Sequence, residues 1–180
     1  MSESPSDESV APAGVAASGP EPLPEGRFVG RETFRGLLRL ALTHAAADGW
    51  RQMVMSDADF ASWPLGERET VRSLEQWASR TRQMRFLARD FSPIRSLHPR
   101  LVGWRQTWSH IVDARVCPGP GADLLPSALW TESWCLERID TDRDVVIATR
   151  DPRARMALKE RLDAFWERGQ PGFPSTILGL

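Results

Sequence analysis

The chain has 180 residues, of which 41% are apolar and 26% charged, and a formal net charge of −1; that size and balance suit one globular domain with its own core. Two cysteines, Cys117 and Cys135, with no second Cys or His at ligand spacing from either, exclude a disulfide framework and a sequence-readable metal site, and reduced thiols point to the cytoplasm. No apolar run reaches the roughly 18 residues a membrane span needs, and the N-terminus has neither the basic flank nor the apolar stretch of a secretory signal.

Residues 1–26 are mostly Ser, Pro, Ala, Gly and Glu, and hold five acids and no base. Such a segment cannot bury enough surface to offset its ordering entropy, so a disordered acidic tail is expected, followed by one α/β domain over 27–180. That domain carries 23 bases against 19 acids, a small excess in the direction of an anionic partner. Lys159 is the sole lysine, tyrosine is absent and tryptophan occurs eight times; a GC-rich genome accounts for the arginine bias without an arginine-based function.

Phe34, Leu37, Leu38, Ala41, Leu42 and Ala45 recur at i, i+3, i+4 and i+7, the signature of one buried helix face, and Gly49 stands where a helix stop belongs. "RQMVMSD" (51–57) reads as a strand ending in Asp57, and 57–66 as a loop. A helix over about 67–80 turns Val71, Leu74, Trp77 and Ala78 inward. The pattern repeats with a strand over 82–90 ending in Asp90. Ser92-Pro93 opens the next helix, and Pro99 restarts it to carry Leu101, Trp104 and Trp108. "DARVCP" (113–118) is a third strand and "GPGADLLP" (119–126) a loop. Two strands over 128–139 and 143–149 flank the turn "DTDRD", a helix over 152–168 follows, and "GQPGFPSTILGL" is an irregular end with enough apolar groups to dock. Strands alternating with helices predict a three-layer α/β fold with a mainly parallel sheet, closed by a C-terminal antiparallel hairpin.

Asp57, Asp90 and Asp140 each end a strand or its turn, and ligands of open α/β sheets lie beyond the carboxyl ends of strands; Asp is equally at home there as a turn starter, which is the favoured reading. His98 and Arg100 fall at a helix start, where free N–H groups favour an anion; a capping His and an Arg paired with Asp90 explain them as well. Trp104 and Trp108 share a helix face, and Trp130 and Trp134 one face of a strand; both pairs read as core. Neither cysteine has a His near it in sequence. Ser133, His98 and Asp140 could be written as a triad, but no nucleophile elbow supports it, and no glycine loop for phosphate is present.

The element order and the stretch "ESWCLERIDTDRDVVIATRD" (132–151) resemble the phospholipase D-like (HKD) superfamily, whose catalytic strand carries H-x-K-x4-D followed by a strand ending in G-S-x-N. The resemblance sets Asp140 on the family Asp, Ser133 on its nucleophilic His and Cys135 on its Lys. It also sets Thr149 near the Ser and Asp151 near the Asn of the second segment. The chain is similar to small bacterial single-unit members that lack the motif, through "RFLARD" (85–90), "HPRLV" (98–102) and "FWERGQP" (165–171). The resemblance implies a phospholipase D-like half-unit with a degenerate site and no cofactor: a non-catalytic binding or interaction domain. Its old phosphate pocket would hold a phosphate-bearing ligand with His98, Arg100 and Arg150 beside Ser133 and Thr149; a protein partner is the other implied occupant. The alternative is a hydrolase or transferase rebuilt around Ser133 or Cys135, which requires His98 or His110 within hydrogen-bond reach. A homodimer through the ancestral half-site surface is a third reading. All of these rest on residues 133, 135 and 140 meeting at a common edge of one sheet.

Overall fold

The computed structural model describes residues 21–174. Among them the chain forms β1 (Gly26–Val29), α1 (Arg31–Ala47), β2 (Gln52–Asp57), α2 (Arg68–Trp77), β3 (Gln83–Ala88), α3 (Ser92–Leu97), α4 (Pro99–Thr107), β4 (Val112–Val116), a 3₁₀ turn at Ala122–Leu124, β5 (Ser127–Thr131), β6 (Cys135–Asp140), β7 (Val145–Thr149), α5 (Pro152–Arg168) and β8 (Gln170–Pro171). The strands make one open sheet in the order β1-β7-β6-β5-β2-β3-β4-β8. No helix among the described residues is long and apolar enough to cross a membrane.

The sheet is mixed rather than mainly parallel. Only β2–β3 and β3–β4 pair in parallel; β2–β5, β5–β6, β6–β7, β7–β1 and β4–β8 are antiparallel. The cause is where helices fall in the sequence. A parallel neighbour needs a crossover of a dozen or so residues, usually helical; α2 supplies it after β2, and α3 with α4 after β3. No α-helix separates β4, β5, β6 and β7, so those strands turn back on one another. The expected C-terminal hairpin is β6–β7, with a register shift between Arg138 and Asp140.

The expected single strand over 128–139 is broken. Thr131 Oγ1 accepts from the amide of Trp134 at 3.0 Å and donates to its carbonyl at 2.6 Å, closing a turn between β5 and β6. Trp130 and Trp134 therefore do not share a face. Trp134 is fully buried in the cluster beneath α1, α2 and α4, whereas Trp130 packs against the smaller cluster under α5.

The two clusters lie on opposite faces of the sheet, and strand alternation sorts the residues between them. Met53, Met55, Phe86, Leu129 and Leu136 face α1, α2 and α4; Val54, Leu87, Ala128 and Cys135 face Leu158, Leu162 and Trp166 of α5. Residues 1–20 of the expected tail lie outside the described residues. Residues 21–26 belong to the packed body: Leu23 is buried, and the Pro24 carbonyl accepts the Trp134 indole N–H at 3.0 Å. At the other end β8 pairs with β4, and Phe173 stacks on Phe91 with ring centres 5.3 Å apart.

Candidate functional site

The carboxyl end of β2 carries the most elaborate polar arrangement in the domain. Asp57 closes that strand, and its Oδ1 accepts the amides of Asp59 (3.2 Å) and Phe60 (2.9 Å), a local turn that Asp favours. Phe60 adopts a left-handed backbone conformation there (φ 60°), held by aromatic packing on Trp63, Phe86 and Phe91. Two strands away, Arg138 follows Leu136 on the same face of β6. Ser127 of β5 sits between them and is paired in register with Arg138.

Arg138 is the hub. Its Nη2 donates to Asp57 Oδ2 at 2.9 Å, Nη1 to Asp144 Oδ1 at 2.9 Å and to Ser62 Oγ at 2.8 Å, and Nε to Ser127 Oγ at 3.1 Å. Ser127 in turn donates to Asp57 Oδ2 at 2.5 Å. The guanidinium lies 4.5 Å from the Phe34 ring centre. Side-chain exposure is 6% for Arg138, 3% for Asp57 and 11% for Asp144. A buried cation between two buried anions is tolerable only when its hydrogen bonds are filled, and nearly all of these are. The group therefore acts as a clasp joining β2, β5, β6, the 58–62 loop and the β6–β7 turn. Above it opens a cavity of about 360 Å³, whose wall includes the exposed Arg31, Arg89 and Thr141 and the half-buried Asp59.

The residues assigned by resemblance do not converge. The pairings β2–β5 and β5–β6 are both antiparallel, so β6 runs in the direction of β2. Asp140 consequently stands at the Asp57 rim, where its Oδ1 accepts the amides of Asp142 and Arg143, both at 3.0 Å. Ser133 is exposed in the turn that opens β6, at the opposite rim. The common edge expected for residues 133, 135 and 140 is thus replaced by the two ends of one strand. Cys135 is paired with Thr149 across β6–β7 and points into the α5 cluster. Asp90 serves its own turn, accepting the Ser92 amide at 2.8 Å, which holds its carboxyl below the usual range.

At the far rim Thr149, Asp151 and Arg150 already have structural duties. Thr149 Oγ1 accepts the Asp151 amide at 3.0 Å, and Asp151 caps α5 through the amides of Arg153 and Ala154. Arg150 gives its amide to Glu25 Oε2 at 2.7 Å and a guanidinium N–H to the Leu23 carbonyl at 3.3 Å. His98 and Arg100 lie elsewhere, between the 60–66 loop and α4. His98 Nε2 donates to the Phe60 carbonyl at 2.9 Å, its Nδ1 is buried without a partner among the described residues, and burial pushes its pKa down. Arg100 donates to the Gly66 carbonyl at 3.1 Å. His98 and Arg100 are therefore neighbours, and Arg150 is not part of their surroundings.

No nucleophile is poised in this arrangement. Cys135 is buried, and desolvation pushes its thiol up to about 11, away from the thiolate. His44 and His98 belong to the opposite face, bonded to the Glu21 and Phe60 carbonyls, and His110 packs on Trp108 after α4. Among the described residues no three or more His, Cys, Asp or Glu side chains cluster to hold a metal ion.

No family model and no curated protein matches this sequence. Solved structures do share its fold. The archaeal chromatin protein TrmBL2, whose structure is described as showing a novel mode of DNA binding, superposes with a TM-score of 0.57 at 10% identity, over 82% of this chain and 54% of its own. NucT from Helicobacter pylori superposes with a TM-score of 0.57 at 11% identity, over 83% of this chain and 99% of its own. This chain thus spans about half the length of the TrmBL2 chain. At such identities the likeness is one of fold: a mixed α/β domain with an open eight-stranded sheet and five helices.

Sequence reasoning did not find Arg138, Asp144, Ser127 or Ser62. One signal was available. Arg138 sits two residues after Leu136, on the inward parity of an apolar strand, and a charge at such a position demands buried partners.

Proposed function

We propose that this chain is a non-catalytic binding domain on a three-layer, phospholipase D-like half-unit, with Asp140, Thr149 and Asp151 of its ancestral motif given over to structural bonds. The observation that carries this reading is the placement of Cys135. It occupies the second motif position, yet its thiol is buried under α5, on the face away from His44 and His98. Without an adjacent base, neither it nor Ser133 has the activation that nucleophilic catalysis requires. The fold shared with TrmBL2, a protein described as binding DNA, agrees with a binding role.

The test is turnover of an activated phosphodiester such as bis(p-nitrophenyl) phosphate by the full chain. The expected rate is that of buffer, unaltered by Ser133→Ala or Cys135→Ala. A rate above buffer that either substitution abolishes would restore the hydrolase or transferase reading.

A further inference from the structure

A cavity of about 470 Å³ lies in the groove between α2 and α4. Its lining follows helical spacing on both walls. On α2, Arg68 and Arg72 stand one turn apart, with Val71 between them on the floor. On α4, Arg100, Gly103 and Trp104 do the same. Glu75 is the only acid of the lining, so three guanidinium groups face one carboxylate.

Three features mark this groove as a site rather than a packing flaw. Arg68, Arg72 and Arg100 are exposed and form no ion pair with a carboxylate among the described residues. Trp104, on the floor, is 4% exposed, and its indole N–H is buried with no acceptor among the described residues, an uncommon state that invites a partner. Gly103 leaves the α4 backbone bare: a Cβ added there would meet nothing within 4 Å.

We propose that the α2–α4 groove binds the phosphate backbone of a single-stranded nucleic acid. The proposal deepens the binding-domain reading and rests on it. Guanidinium groups match phosphate oxygens in paired hydrogen bonds. Arg68 and Arg72, with Cβ atoms about 5–6 Å apart as i, i+4 neighbours, reach successive phosphates of one strand, and Arg100 meets the strand from the opposite wall. The half-buried indole of Trp108 at the groove's end offers a surface against which a base can stack. A concave slot between two helices admits one strand; a duplex would touch only its rim.

The experiment is fluorescence anisotropy of the full chain with labelled oligothymidylate and oligouridylate of about twelve nucleotides. A duplex of equal length, inorganic phosphate and a mononucleotide serve as competitors. Expected are binding to one or both single strands and a log–log salt slope near −2, as about 0.7 counterions are released per phosphate contact on a single strand. A rise in Kd of tenfold or more is expected for Arg68→Ala with Arg72→Ala. Gly103→Glu fills open space with a negative charge, so it is expected to weaken binding as much while leaving the melting temperature unchanged. Three outcomes would overturn the proposal: no strand binding, binding indifferent to these variants, or equal displacement by duplex, phosphate or mononucleotide. Turnover in the phosphodiester assay would sink the non-catalytic reading alone, because groove binding is scored separately by the Gly103 variant.

Discussion

Arg138 of β6 and Asp57 of β2 meet at 2.9 Å across the intervening strand β5, both almost wholly out of contact with water. Three successive strands contribute Asp57, Ser127 and Arg138 to one row. A contact of this kind fixes the order of the strands as well as their spacing, because a one-residue slip of β6 would turn Arg138 to the α5 face and leave two carboxylates unpaired.

Removing the hub should therefore cost far more than removing a peripheral charge. Arg138→Ala strands Asp57 and Asp144 in the interior, and a loss of about 3–5 kcal/mol is expected. Arg31→Ala, whose guanidinium is 71% exposed and 3.7 Å from Asp144, should cost under about 1 kcal/mol. Urea unfolding of the two variants checks the contrast; equal losses would refute the clasp.

Glu67 gives the domain an acid limb. It lies between Arg35 and Arg39, with Arg39 Nε at 2.7 Å, and these hydrogen bonds bring its carboxyl down to about 2. A carboxyl depressed on folding contributes stability that is complete above its unfolded pKa, about 4.3, and that fades as pH falls toward the folded value. Glu67→Gln should lower stability at neutral pH by about 1 kcal/mol or less, since the group is partly solvated. It should also flatten the decline between the two pKa values. Unfolding curves collected from neutral pH to pH 2 would show it, and parallel profiles for both proteins would contradict it.

Gly66 is required by a close approach. A Cβ at this position would stand 2.8 Å from the Leu97 carbonyl and 3.0 Å from His98 Nδ1. Gly66→Ala must push the α3–α4 junction outward, at a cost of about 1–3 kcal/mol. Thermal melting measures the cost, and chemical shifts of His98 should move with it. Gly103→Ala, in open space, should leave the melting temperature unchanged or raised.

Both thiols are buried, and burial raises the pKa of each. At pH 8 the native protein should react with a thiol reagent far more slowly than the unfolded chain, by a factor of about 100 for Cys135 from its pKa alone. Rapid labelling of Cys135 in the native state would show that α5 does not hold its place.

The longer helices were legible from the sequence because each buries a face with helical spacing. α1 follows Phe34 to Ala45, and α5 keeps its expected limits at Pro152 and Arg168. The direction of the strands was less legible. Local pattern marks β5 and β6 as apolar, but that they antiparallel-pair beside β2 depends on the absence of a crossover helix. The turn dividing them is written in Thr131, whose hydroxyl bonds both backbone groups of Trp134, and alternation in "ALWTESWCL" conceals it. Of the site, Asp57 was readable as a strand-end acid. Its partners were not, because Ser62, Ser127, Arg138 and Asp144 are brought to it only by the tertiary fold. Arg68 and Arg72 gave no local signal of a site, because α4 comes to lie opposite them only in the folded chain.

The segment before β1 has a consequence for anyone who shortens this protein. Leu23 fills the core, Pro24 accepts the Trp134 indole, and the Glu21 carbonyl receives His44 Nε2 at 2.7 Å. A version beginning at Arg31 would forfeit all three, leave two ring nitrogens stranded and uncover β7 along a flank that β1 now seals. Such a fragment would be prone to pair edge to edge with its copies, and an oligomer measured on it would report the cut rather than the native assembly.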